Sequence, residues 1–131
     1  MALEPERKDR SYQWGRLLAV MEKAEQDTYD PTEKRETNAI RMQSVFVKRP
    51  GYTTAMVIQQ LKSAYYPRLR KGSRIYYDRL IGEIMEQISQ FSAESYNAPL
   101  TESYLLGYYL QKNAFYTRKE NEEAEDENDE I

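Results

Sequence analysis

Ser73-Arg74-Ile75-Tyr76-Tyr77-Asp78-Arg79-Leu80-Ile81-Gly82-Glu83-Ile84-Met85-Glu86-Gln87-Ile88 sets Tyr76, Tyr77, Leu80, Ile81, Ile84, Met85 and Ile88 three or four residues apart. That spacing lines one side of a 3.6-residue helix and fails the two-residue alternation of a strand. The stripe predicts a helix over about 73–90, capped by Ser73, with its apolar face on a core.

Working outward, the same period recurs. Upstream, Met56, Val57, Ile58, Leu61, Ala64 and Tyr65 predict a helix from Thr53 or Thr54. Pro67 lacks a donor and disfavours helix at Tyr66, so that element should stop or kink before Lys71-Gly72. Pro50-Gly51 is read as the end of a preceding helix, Thr32 to about Phe46, which carries Ala39, Ile40, Met42, Val45 and Phe46. A first helix from Ser11 to about Gln26 buries Trp14, Leu17, Leu18, Met21 and Ala24. Downstream, Thr101 should open a fifth helix, with Leu100 and Leu105 as a hydrophobic staple and Leu105, Tyr108, Tyr109 and Phe115 facing inward. No run sustains strand alternation. The expected fold is all-α: a compact bundle of about five helices in one domain over 11–119, a flexible amino-terminal arm over 1–10, and a disordered acidic tail over 120–131.

Charge divides the chain more sharply than its net value of −3 suggests. Of 22 acids, eight fall between Glu120 and Glu130 with no base among them, so residues 1–119 carry 19 bases against 14 acids. Within residues 41–79 the bases are Arg41, Lys48, Arg49, Lys62, Arg68, Arg70, Lys71, Arg74 and Arg79, against Asp78 alone. Cysteine and histidine are both absent, which removes disulfides, thiolate or imidazole metal sites, and serine or cysteine triads. Isolated glycines at 72, 82 and 107 form no phosphate-binding loop. Glu83 and Glu86, three residues apart, read as a solvated helix face. The chain is expected to be non-enzymatic, without cofactor or metal, and cytoplasmic: it has no apolar run long enough to span a bilayer and opens without a signal-peptide hydrophobic region.

What remains is a basic cluster interleaved with tyrosines. Lys48, Arg49, Lys62, Arg68, Arg70, Lys71, Arg74 and Arg79 are the candidate nucleic-acid-binding residues, because cations on neighbouring turns beside a helix amino terminus sum their potentials where phosphate also meets free backbone donors. The competing reading makes them ordinary surface charges. Tyr65, Tyr76, Tyr77, Tyr108 and Tyr109 fall on apolar stripes and are assigned to the core rather than to base stacking.

Three segments carry a resemblance: Trp14-Gly15-Arg16-Leu17-Leu18-Ala19-Val20-Met21-Glu22-Lys23-Ala24, then Tyr76-Tyr77-Asp78-Arg79-Leu80-Ile81-Gly82-Glu83-Ile84-Met85, then Leu106-Gly107-Tyr108-Tyr109-Leu110-Gln111-Lys112-Asn113-Ala114-Phe115-Tyr116. In that order the chain resembles the small subunit of the type I-C CRISPR Cascade complex, which matches the carboxy-terminal region of that system's large subunit. Lys71-Gly72-Ser73-Arg74 fits the family's small residues before the paired tyrosines, while Pro67 and the acidic tail depart from it. The resemblance implies a polypeptide made by internal initiation, with Met1 as its start, packed in several copies on a guide-RNA-containing assembly of backbone and large subunits. It further implies a scaffold that supports the guide–target duplex and the displaced, non-target DNA strand, with nuclease activity supplied by another protein. The alternative is a pure protein–protein adaptor whose bases meet acidic surfaces of partner subunits.

Overall fold

The computed structural model describes the backbone of residues 2–129 and the side chains of residues 2–118. The described residues form helices and turns without a strand: α1 (Arg10–Gln26), α2 (Asn38–Arg41), α3 (Gln43–Lys48), α4 (Pro50–Gln60), α5 (Lys71–Ile88) and α6 (Ser103–Asp129). The acidic tail expected to be disordered, 120–131, lies outside the residues whose side chains are described.

α1 is the axis. Its apolar stripe is buried as expected, but so are Gln13, Arg16, Glu22 and Glu25, leaving only Lys23 and the two ends of the helix in reach of solvent. Buried polar groups need partners. Arg16 Nε donates to Gln111 Oε1 at 3.0 Å, and its Nη1 reaches Gln13 Oε1 at 2.9 Å and the Pro5 carbonyl at 3.0 Å. Gln13 Nε2 donates to the Pro5 and Arg7 carbonyls, and the Tyr108 hydroxyl donates to Glu22 at 2.7 Å. The segment before α1, which shows no apolar period, is thus held against it by its own carbonyls.

α6 packs along α1 backbone to backbone. A Cβ on Gly15 would overlap the Tyr104 carbonyl oxygen, and one on Gly107 would overlap that of Tyr12. Two of the segments that carry the resemblance therefore meet at a reciprocal glycine crossing. Their amino ends are tied as well: Asp9 caps α1 through Tyr12 N and accepts from Ser103 Oγ, while Thr101 N donates to Ser11 Oγ. Asp9, and not Ser11, is the cap. α5 covers another side of α1 with Tyr77, Ile84 and Ile88.

Several boundaries differ from expectation for local reasons. Residues 32–37 are not helical, because Asp30 captures both Thr32 N (2.9 Å) and Thr32 Oγ1 (2.8 Å) in a turn. Thr37, not Thr32, caps the helix that follows, and Met42 divides it into α2 and α3. Pro50 begins α4 instead of ending its predecessor, a position where its missing N–H costs nothing. Past Gln60 the coil widens into a π turn, Leu61–Tyr65, then tightens into a 3-10 turn, Tyr66–Arg68, before extended Leu69. Pro67 bends the chain as expected, but α5 opens at Lys71 behind Arg70 and not at Ser73. On α6 the inward face is rotated: Tyr108, Gln111 and Phe115 are buried, while Leu105 and Tyr109, expected inside, are exposed.

Candidate nucleic-acid interface

The turn between α4 and α5 creates the site. Pro67 and the π turn stop α4 from running on, and Lys62, on that turn, shares a cleft with the first turn of α5. A shallow open cleft of about 370 Å³ results, lined by Lys62, Tyr66, Lys71, Arg74, Ile75 and Asp78 together with Pro67. At its rim α5 begins without an acid in its first turn and without a side-chain cap at Arg70. The first main-chain N–H groups of a helix have no partner within it, and the dipole makes that end positive. Arg68 and Arg70 belong to the bend itself.

Of the eight bases expected to act together, the cleft brings Lys62, Lys71 and Arg74 together, with Arg68 and Arg70 on the adjoining chain. Arg79 follows Arg74 by five residues, about 140° round the helix, and is not part of that lining. Lys48 and Arg49 stand at the opposite end of α4, before Pro50. Seven of the eight are exposed and Arg74 is partly so. The ion pairs among the described residues involve other groups, so none of these bases is neutralised by a bonded carboxylate. Arg68 lies over the Tyr65 ring at 5.7 Å and Arg49 over Tyr52 at 5.6 Å, contacts that orient a guanidinium and leave its charge available.

Asp78 is the one carboxylate in the cleft. Burial first, then this carboxylate, pushes the Tyr66 phenol above its ordinary pKa, so its proton stays on at physiological pH. The assignment of tyrosines to the core holds for Tyr77 and Tyr108, both buried; Tyr65 and Tyr76 are half-buried, and Tyr109 is 60% exposed. Tyr66, which belongs to the basic, tyrosine-bearing run of the sequence, lines the cleft; Tyr52 is the residue the sequence reading misses, and a tyrosine directly after Pro50-Gly51 and two bases is its available signal.

Two other concavities are less suited to an anion. A cleft of about 530 Å³ under the 29–37 loop sets Asp30, Glu33 and Glu36 against Lys34 and Arg35. A smaller one, about 190 Å³, sets Lys23, Lys112 and Arg118 against Glu22 and Asp27, where Lys23 already pairs with Asp27 at 2.9 Å. Among the described residues no three acidic side chains form a metal-binding group. No helix among them is long and apolar enough to cross a membrane.

A family model described as CRISPR-associated protein (Cas_Csd1) matches residues 1–116, which takes in α1, both crossing glycines and every candidate base. The chain belongs to the Cas_Csd1 family. This is a type I-C family, consistent with the resemblance carried by the Trp14, Tyr76 and Leu106 segments, and the match ends before the acidic run that departs from it. No curated protein matches the chain. Within this Cas_Csd1 chain the three matching segments form α1, α5 and α6, the helices that enclose the core.

Proposed function

We propose that this Cas_Csd1 chain is a non-catalytic small subunit of an RNA-guided CRISPR surveillance complex that steadies the opened DNA through contacts to phosphate. The observation that carries the reading is the α4–α5 cleft, where Lys62, Lys71 and Arg74 converge beside an uncapped helix amino terminus. Exchange of a DNA duplex for a guide–target duplex is nearly balanced, so modest backbone contacts tip it. Such contacts ignore base identity and fall off with salt as counterions are released. The displaced non-target strand is the ligand this reading assigns, and the rest of the assembly, including further copies of the chain, is its protein environment.

The test is a titration of the assembled complex with target DNA at several salt concentrations. Four to six phosphates on a single strand give a log–log slope of about −3 to −4, a loss of roughly a hundredfold between 50 and 200 mM salt. Reversing Arg70, Lys71 and Arg74 to Glu together is expected to flatten that slope and weaken binding alike for unrelated sequences. Unchanged binding by the triple variant overturns the reading.

A second reading, an adaptor without nucleic-acid contact, draws on α6, where Leu105, Tyr109 and Tyr116 leave an apolar stripe in solvent. Salt-dependent DNA binding by the isolated chain favours the first reading; binding to partner subunits alone favours the second.

A further inference from the structure

At the far end of α4 from the cleft, two tyrosines are held open to solvent beside two bases. Tyr52 is 51% exposed and Tyr96 39%, although burying an aromatic ring is favourable. Neither is loosely placed. Tyr52 N donates to Asn97 Oδ1 at 2.8 Å, and the Tyr96 ring lies on Gly51, where any side chain would collide with it. The inner edge of Tyr96 meets Trp14 at 5.3 Å in an edge-on contact. Leu100 N, donating to the Val47 carbonyl at 2.8 Å, fastens the 96–100 segment to the end of α3. Arg49 sits over the Tyr52 ring, and Lys48 precedes it.

We propose that Tyr52 and Tyr96, flanked by Lys48 and Arg49, form a base-stacking platform for single-stranded nucleic acid. Rings fixed by a rigid backbone lose little entropy on contact, and every nucleobase has a face to offer them. Lys48 and Arg49, both exposed, supply positive charge beside the rings for the phosphates that link the stacked bases. A duplex keeps its bases stacked on one another and cannot use such rings, so the platform selects unpaired strand. This rests on the nucleic-acid reading above and deepens it from contact with the phosphates of an unpaired strand to contact with its bases. It also gives Lys48 and Arg49, which the α4–α5 cleft does not include, a place of their own.

The experiment uses the full chain with four probes of equal length: single-stranded DNA, single-stranded RNA, each with one 2-aminopurine, a single-stranded DNA with several abasic positions, and duplex DNA. Expected results are a change in 2-aminopurine fluorescence on binding and affinity for the native strands about tenfold above that for the abasic and duplex probes, within the roughly 5- to 150-fold range of a stacked base. The DNA and RNA arms identify which strand is preferred. Tyr52→Ala should remove most of that advantage and Tyr52→Phe should keep it, with helical circular dichroism unchanged because the ring is half in solvent. Equal, salt-dependent affinity for native, abasic and duplex probes with unchanged fluorescence overturns the platform and leaves the phosphate reading standing. Binding of none of them overturns both.

Discussion

At the residue scale, the decisive groups are two that have no side chain. Gly15 and Gly107 let the backbones of α1 and α6 touch, and a methyl group at either would strike a carbonyl oxygen that a helix holds rigidly. Gly15→Ala should destabilise the bundle by about 2 kcal/mol or more, as overpacking does, whereas Gly82→Ala, with nothing within 4 Å, should stabilise it by about 1 kcal/mol through helix propensity. Urea unfolding of the two variants measures both signs. Glu25 offers a second test. It is buried, accepts from Asn38 N at 3.0 Å and from the Tyr29 hydroxyl, and burial raises its pKa against the opposing effects of Asn38, Arg35 and Arg41. With the folded pKa above the unfolded one, near 4.3, its contribution is fully present below the unfolded pKa and is lost as pH rises through the folded one. The stability of Glu25→Gln relative to wild type should therefore increase as pH climbs from about 4 toward neutrality, a trend that unfolding curves at stepped pH will show.

At the scale of elements, function and stability pull apart at the start of α5. Arg70 occupies an N-cap position without a capping bond, its φ and ψ of −62° and 149° suit a capping aspartate, and the first turn carries no acid. Arg70→Asp should add about 0.5–1 kcal/mol of stability while weakening salt-dependent nucleic-acid binding, so thermal melting and DNA titration should move in opposite directions. The stripe of α5 is legible in the sequence because its apolar residues are aliphatic as well as aromatic and keep one period for four turns. The start of α4 is not, since proline serves equally after a helix and at its first position. The inward face of α6 is hidden in the sequence for a related reason. Tyr108 and Tyr109 are the same residue side by side, and the buried one lies on the face of Gly107, Gln111 and Phe115, where its hydroxyl reaches Glu22. The density of bases is equally plain in sequence. Their sharing of a cleft is not, because Lys62 lies before the bend and Lys71 and Arg74 after it, and the platform joins Tyr52 to Tyr96 across half the fold.

At the scale of the whole molecule, charge and burial divide the work. Bases decorate both ends of α4 and the bend, while α1 supplies a core in which Trp14, Leu17, Val20, Met21 and Ala24 are fully enclosed. Amides along α1 can meet solvent only when the surrounding helices leave, so their hydrogen exchange should report the global unfolding free energy, whereas amides of the 29–37 loop should exchange by local opening. Mass spectrometry of peptides covering α1, compared with denaturant unfolding, checks this equality. The same enclosure has a consequence for biosynthesis. α1 leaves the ribosome long before α6, the helix that closes over it, so Trp14, Leu17 and Met21 wait unshielded on the nascent chain, and a translational pause before Ser103 would prolong the interval in which chaperones must hold them.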